Sequence, residues 1–182
     1  MSFRYEIRLS GEGGQGLVLA GKILAEAAAI YDDLNATQSQ SYGPEARGGA
    51  SRSEVIISDD EIDYPKAINI DLLLAFTQEA CTKYHGDLKD DGILLIDSDY
   101  VTRVPEGKFK VYKLPIIEAA RSEVGKIIVA NIVALGIIAS LVNVISVDAV
   151  EKAILSRVPK GTENLNKKAF KLGLEMGKKL MV

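Results

Sequence analysis

The chain has 182 residues, 47% of them hydrophobic and 26% charged, with a formal net charge of -3. That length suits one domain with a substantial core, and the lack of a basic excess argues against nucleic acid as a partner. A single cysteine, Cys81, and a single histidine, His85, exclude an internal disulfide and any multi-cysteine iron–sulfur or zinc site held by this chain alone.

In chain order, Phe3 to Ser10 (FRYEIRLS) alternates apolar and polar residues, the period-2 signature of a strand. GEGGQG (Gly11 to Gly16) breaks it. Leu17 to Tyr31 is rich in alanine and leucine, with apolar residues at helical spacing. Asn35 to Tyr42 reads as extended but polar, Gly43 to Gly49 as a loop, and Arg52 to Ile57 as another strand. The apolar runs Asp71 to Phe76 (DLLLAF) and Ile93 to Ile96 (ILLI) suit strands buried on both faces of a parallel sheet. Between them a helix starts at the candidate N-cap Thr77 and runs towards Asp90. Lys108 to Leu114 is a further strand, and Ile116 to Glu123, Ile127 to Val144, Val147 to Ser156 and Thr162 to Leu180 read as helices.

Alternating strands and helices predict an α/β fold: a three-layer sandwich around a mostly parallel, doubly wound, Rossmann-like sheet, with a helical C-terminal third. No linker or repeat divides it, so residues 1–182 form one domain. The charged N-terminus lacks an apolar signal core, which argues against secretion. Ile127 to Val142 is almost entirely apolar yet shorter than the roughly 20 residues needed to span a bilayer. It is expected to be buried, either in the chain's own core or against a partner.

Gly11-Glu12-Gly13-Gly14-Gln15-Gly16 satisfies G-x-G-x-x-G between a strand and a helix, the context in which that motif carries meaning. Free N–H groups at the helix start suit a phosphate. A dinucleotide site would also place an acidic residue at the end of the second strand; Asp32 and Asp33 come too early, and Glu12 adds negative charge to the loop. No Walker lysine-serine pair follows. A packing turn, a dinucleotide site and another phosphate site all remain open at this point. The second unusual segment is SYGPEARGG (Ser41 to Gly49). In a doubly wound fold, a loop after the second strand lies at the carboxyl edge beside the first glycine loop. Arg47 there suits a carboxylate or phosphate, or equally an ion pair with Glu45 or another subunit. Cys81 reads as a core thiol and His85 as a contact at a helix end.

Together, GEGGQG opening an alanine-rich helix, then SQSYGPEARGG, then RSEVIIS closely resemble the gamma subunit of 2-oxoacid:ferredoxin oxidoreductases. The resemblance covers most of the chain, including the strand at Asp71, the strand ending at Asp97 and the NIVALG helix at Asn131. SYGPEARGG is most similar to the 2-oxoglutarate branch, with the pyruvate and branched-chain branches close behind. The resemblance implies a complex that oxidatively decarboxylates a 2-oxoacid, reduces ferredoxin and forms acyl-coenzyme A. It implies thiamine diphosphate with Mg between partner alpha and beta subunits, and the iron–sulfur clusters on other chains or domains, with a delta subunit in some assemblies. This chain would then carry no catalytic residue and lie in the cytoplasm. Its expected contribution is assembly and part of a coenzyme A site, formed by Gly11, Gly13, Gly14, Gln15 and Gly16 and bordered by Tyr42, Gly43, Arg47 and Gly48.

Overall fold

The computed structural model describes residues 2–41 and 49–182. They build one six-stranded sheet in the order β2-β3-β1-β4-β5-β6. Its strands are β1 (Arg4–Glu12), β2 (Asn35–Ser41), β3 (Ala50–Ser58), β4 (Ile70–Ala75), β5 (Leu88–Asp97) and β6 (Lys110–Leu114). The pairs β1–β4, β4–β5 and β5–β6 are parallel, while β3 runs antiparallel to both β1 and β2. Five strands therefore share one direction and β3 alone opposes them. The sheet is mostly parallel, as expected, but β2 is displaced to the edge by a hairpin partner that slots in beside β1.

The helices are α1 (Leu17–Glu26), α2 (Gln78–Tyr84), α3 (Ile116–Ala119), α4 (Ala130–Leu141), α5 (Val147–Arg157) and α6 (Glu163–Leu180). Wider π turns extend α1 through Ala27–Tyr31 and α3 through Ala120–Val124. Thr77 caps α2 as the sequence suggests, its side chain accepting from Ala80 N at 3.2 Å. The main core joins α1 and α4–α6 to the β1 face carrying Ile7 and Leu9. A smaller core places α2, with Ala80 and Cys81, on the opposite face against Leu73 and Leu94. Helices thus cover both faces, and β4 and β5 are buried on both, which is why their sequences are continuous apolar runs.

The alternate residues of β1 hold a surprise. Glu6, Arg8 and Ser10 are polar, yet all three are buried. Arg8 pairs with Glu54 and with Asp87, each at 2.8 Å, and stacks against the Tyr84 ring. Removing Glu54 from the buried pair with Arg8 costs about 3–5 kcal/mol, because a charge is left with less compensation, whereas the Asp87 side chain is half exposed. Glu6 accepts from Ile68 N and Asn69 N and so pins the loop that precedes β4.

The apolar helix α4 is buried from Ala130 to Ala139. It packs along α6 and also meets α1, α3 and α5, so the chain hides it within its own core. Close approach of α4 and α6 is permitted by Gly136, Gly173 and Gly177: a Cβ on Gly173 would collide with Val133 O, and one on Gly136 with Phe170 O. Ser140 Oγ crosses the same contact, donating within hydrogen-bond range of Gly136 O at 3.0 Å and Leu174 O at 3.2 Å.

Candidate functional site

At the carboxyl edge of the sheet, β1 runs on through Gly11 and Glu12, which pair with Ser51 and Ala50 of β3. Gly11 is thus a buried strand residue whose missing side chain makes room for Gln15, Leu17 and Phe76. The turn itself is Gly13 to Gly16. Gly14 has φ 87° and Gly16 φ 73°, left-handed conformations that disfavour a side chain. Gln15 fastens the turn from within, its Oε1 accepting from Glu12 N at 2.7 Å. Glu12, Gly13 and Gly14 are exposed, so the backbone is presented to solvent at the amino end of α1.

A second lock comes from far along the chain. Asn131, at the start of α4 and 4% exposed, donates from Nδ2 to Gly16 O at 3.0 Å and accepts on Oδ1 from Ile132 N at 2.9 Å. A Cβ at Gly16 would overlap the Asn131 amide. The glycine and the asparagine therefore require each other. Sequence reasoning placed Asn131 in the right helix without assigning it this role; the signal was a lone amide in an otherwise apolar run.

Three depressions meet at Gly14. One of about 320 Å³ lies in front of α1, lined by Glu12, Gly13, Gly16, Leu17 and Ser51. A second of about 290 Å³ runs between the turn, the start of α4 and the α5–α6 connection. The third, about 60 Å³, sits against Phe76, Ile117 and Ile127. Ile127 and Ile128, 48% and 73% exposed, overhang the turn. Nearby, at the end of β5, the fully buried Asp97 carboxylate accepts from Ile117 N and Asp99 N and so caps α3 from another element. Burial raises its pKa above the usual 3.8, against the lowering effect of those backbone hydrogen bonds.

Of the residues singled out in the sequence, Gly11, Gly13, Gly14, Gln15 and Gly16 come together here. Tyr42, Gly43, Arg47 and Gly48 lie outside the described residues. Ser41 and Ala50, on either side of that segment, are nonetheless fixed at this edge: Ser41 pairs with Arg52, and Ala50 with Glu12. Asp32 is a full helix away from the turn, bound to the Ser146 N–H and hydroxyl at 2.7 Å each; it serves the start of α5 and not a ribose. Cys81 is buried, and burial pushes its thiol pKa up. His85 Nδ1 lies 2.9 Å from Cys81 O, a contact at the end of α2. One buried thiol does not fit iron–sulfur ligation, and no group of three potential metal-ligating residues occurs among the described residues.

A mixed α/β sheet with a glycine turn at the carboxyl end of its first strand defines a broad structural class whose members differ widely in function. Within that class the relationship is specific: a sequence model of the pyruvate ferredoxin/flavodoxin oxidoreductase family matches residues 6–176, and the chain belongs to that family. It is 52% identical to the 2-oxoglutarate synthase subunit KorC of Methanocaldococcus jannaschii, over 99% of this chain and 97% of that one. The gamma subunit of a keto/oxoacid ferredoxin oxidoreductase from Geobacter sulfurreducens superposes with TM-score 0.91 at 57% identity, covering 97% of this chain and 98% of that one. The 2-oxoglutarate:ferredoxin oxidoreductase of Magnetococcus marinus, solved with 2-oxoglutarate, coenzyme A and succinyl-CoA bound, shares the fold at TM-score 0.84 and 23% identity. There the match spans 97% of this chain but 31% of that one.

Proposed function

We propose that the chain is the gamma subunit of a 2-oxoglutarate:ferredoxin oxidoreductase, and that its glycine turn forms part of the coenzyme A site. The overall reaction oxidises 2-oxoglutarate, releases carbon dioxide, joins the succinyl group to the thiol of coenzyme A, and passes two electrons to ferredoxin. Thiamine diphosphate with Mg and the iron–sulfur clusters, held by partner subunits, would supply the carbanion and electron-transfer chemistry. This chain supplies binding and assembly. The complex works in the cytoplasm, where reduced ferredoxin is used.

The observation that carries the coenzyme A reading is the exposed backbone at Gly13 and Gly14, just before the start of α1, with depressions on both sides. N–H groups of Gly13, Gly14 and Gly16 at that helix end suit a phosphate, while Gln15 holds the turn in shape. The segment holding Tyr42, Gly43, Arg47 and Gly48 departs from the strand ends beside this turn and is assigned to its border. A stand-alone dinucleotide enzyme fits less well, because Asp32 is tied to Ser146.

The test is a gentle anaerobic pull-down of the tagged chain from its host. Larger partner subunits, iron–sulfur absorbance and 2-oxoglutarate-dependent dye reduction that requires coenzyme A are the expected result. A colourless chain without partners refutes the subunit reading. A Gly14→Val complex that assembles but keeps its KM for coenzyme A refutes the role of the turn.

A further inference from the structure

The two faces of α6 differ sharply in chemistry. Inward it presents Asn166, Ala169, Phe170, Gly173 and Gly177, all buried. Outward it presents Lys167, Lys168, Lys171, Glu175, Lys178 and Lys179, all exposed. Spacings of three, four and seven residues put these on one side of the helix, a row about 18 Å long at the rise of an α-helix. The helix carries five lysines and two glutamates in a chain whose formal net charge is -3. Positive charge is therefore concentrated here, while the remainder of the chain is net acidic.

This charge is not matched internally. On other helices Lys152 pairs with Asp148, and Arg121 with Glu118, at the same spacings. Among the described residues, no carboxylate lies within ion-pair distance of the five lysines of α6. Glu163 stands four residues before Lys167, yet its carboxylate accepts from Gly161 N at 2.9 Å instead. The helix dipole favours Lys178 and Lys179 at the carboxyl end. Lys167, Lys168 and Lys171 lie in the first half, without that support, and like charges three or four residues apart weaken a helix. Helix stability does not account for the row.

Lysine is depleted in stable protein interfaces, and the row holds no aromatic or aliphatic side chain to bury. Brief encounters between soluble proteins, electron-transfer pairs among them, need little area and profit from charge that steers the approach. Nucleic acid would call for aromatic stacking partners among the cations. A helix lying on a membrane would bury its apolar side in lipid, but here that side is closed against α4.

We propose that the lysine face of α6 is where the complex meets the acidic protein that carries its electrons away, a ferredoxin whose carboxylate-rich surface matches the row in sign. The proposal rests on the chain being a subunit of a ferredoxin-reducing complex, and it adds a surface which that reading does not assign. α6 holds no redox centre; it speeds the encounter and turns the acidic side of the carrier towards the assembly.

The experiment uses the assembled complex carrying Lys167→Gln, Lys168→Gln and Lys171→Gln together, since glutamine keeps the helix propensity of lysine. Two acceptors are compared, ferredoxin purified from the host and methyl viologen, a small dye that needs no docking surface. At low ionic strength the KM for ferredoxin is expected to rise about tenfold, the lower end of electrostatic steering. Added salt raises that KM in the parent complex and changes it little in the variant. Reduction of methyl viologen stays in place. Lys108→Gln with Lys113→Gln, beside β6, is expected to leave the ferredoxin KM unchanged. If the triple variant keeps its ferredoxin KM while viologen reduction still requires 2-oxoglutarate and coenzyme A, this proposal falls and the subunit reading stands. A parent complex that reduces neither acceptor refutes both. Equal losses with the two acceptors assign the row to assembly, and an equal KM rise in the β6 variant assigns the effect to net charge. Binding to phosphatidylglycerol vesicles that the triple variant loses, with its ferredoxin KM intact, assigns the row to a membrane. Each of these three results overturns the proposal.

Discussion

In the turn after β1, glycines face solvent and hold backbone shapes that other residues resist; in the contact between α4 and α6, glycines are buried and leave out side chains so that two helices touch. Gly14 has a positive φ, and a Cβ there would meet nothing within 4 Å. At Gly173 the conformation is ordinary, but a Cβ would collide with the Val133 carbonyl. The same residue type is thus required for conformational freedom at one place and for volume at the other. Only the first kind exposes backbone to a ligand; the second kind fixes the layer against which α1 is held.

Substitution by alanine separates the two. The largest effect is expected at Gly173→Ala, where the obstacle is rigid backbone and the helices must part: about 3 kcal/mol of lost stability, seen as a fall of roughly 10 °C in thermal unfolding. Gly16→Ala comes next at about 2 kcal/mol, since it meets both the positive φ and the Asn131 amide. Asn131→Ala alone is expected to cost about 1 kcal/mol. The Gly16→Ala/Asn131→Ala double variant should lose less than the sum, and strict additivity in unfolding measurements would mean that the two do not act as one lock. Gly14→Ala should cost about 1 kcal/mol for its conformation alone. Gly13→Ala, with neither a positive φ nor a neighbour, should stay within about 0.5 kcal/mol. A Gly13 effect as large as that of Gly173 would erase the distinction.

Much of this architecture was legible in the sequence because it is encoded locally. The runs at Asp71 and Ile93 give β4 and β5, the Thr77 cap opens α2, and the glycine turn falls where strand period gives way to helix period. What was not legible depends on distant partners. That β3 would insert antiparallel between β2 and β1 is decided by pairing, to which the pattern RSEVII is indifferent. The alternation in β1 marked a strand but not the environment of its polar face, where Arg8 is buried because Glu54 and Asp87, far away in sequence, meet it. β5 starts at Leu88, earlier than its apolar run, since Lys89 to Gly92 extend it as an irregular, polar end. At the site, the glycines were visible as a motif, but Asn131 was an ordinary amide on a helix until the fold showed what it faces.

The two rims of the sheet carry one last consequence. β6 ends the sheet with Lys110 and Lys113 in five residues, whereas β2 ends it with NATQSQS, seven residues without a charge. Charged side chains on an outermost strand act as gatekeepers against unwanted pairing with another chain, and β2 lacks them. When the subunit is produced by itself, β2 is therefore where clumping would begin, and a single Ser39→Lys change is the simplest way to keep such a preparation dispersed.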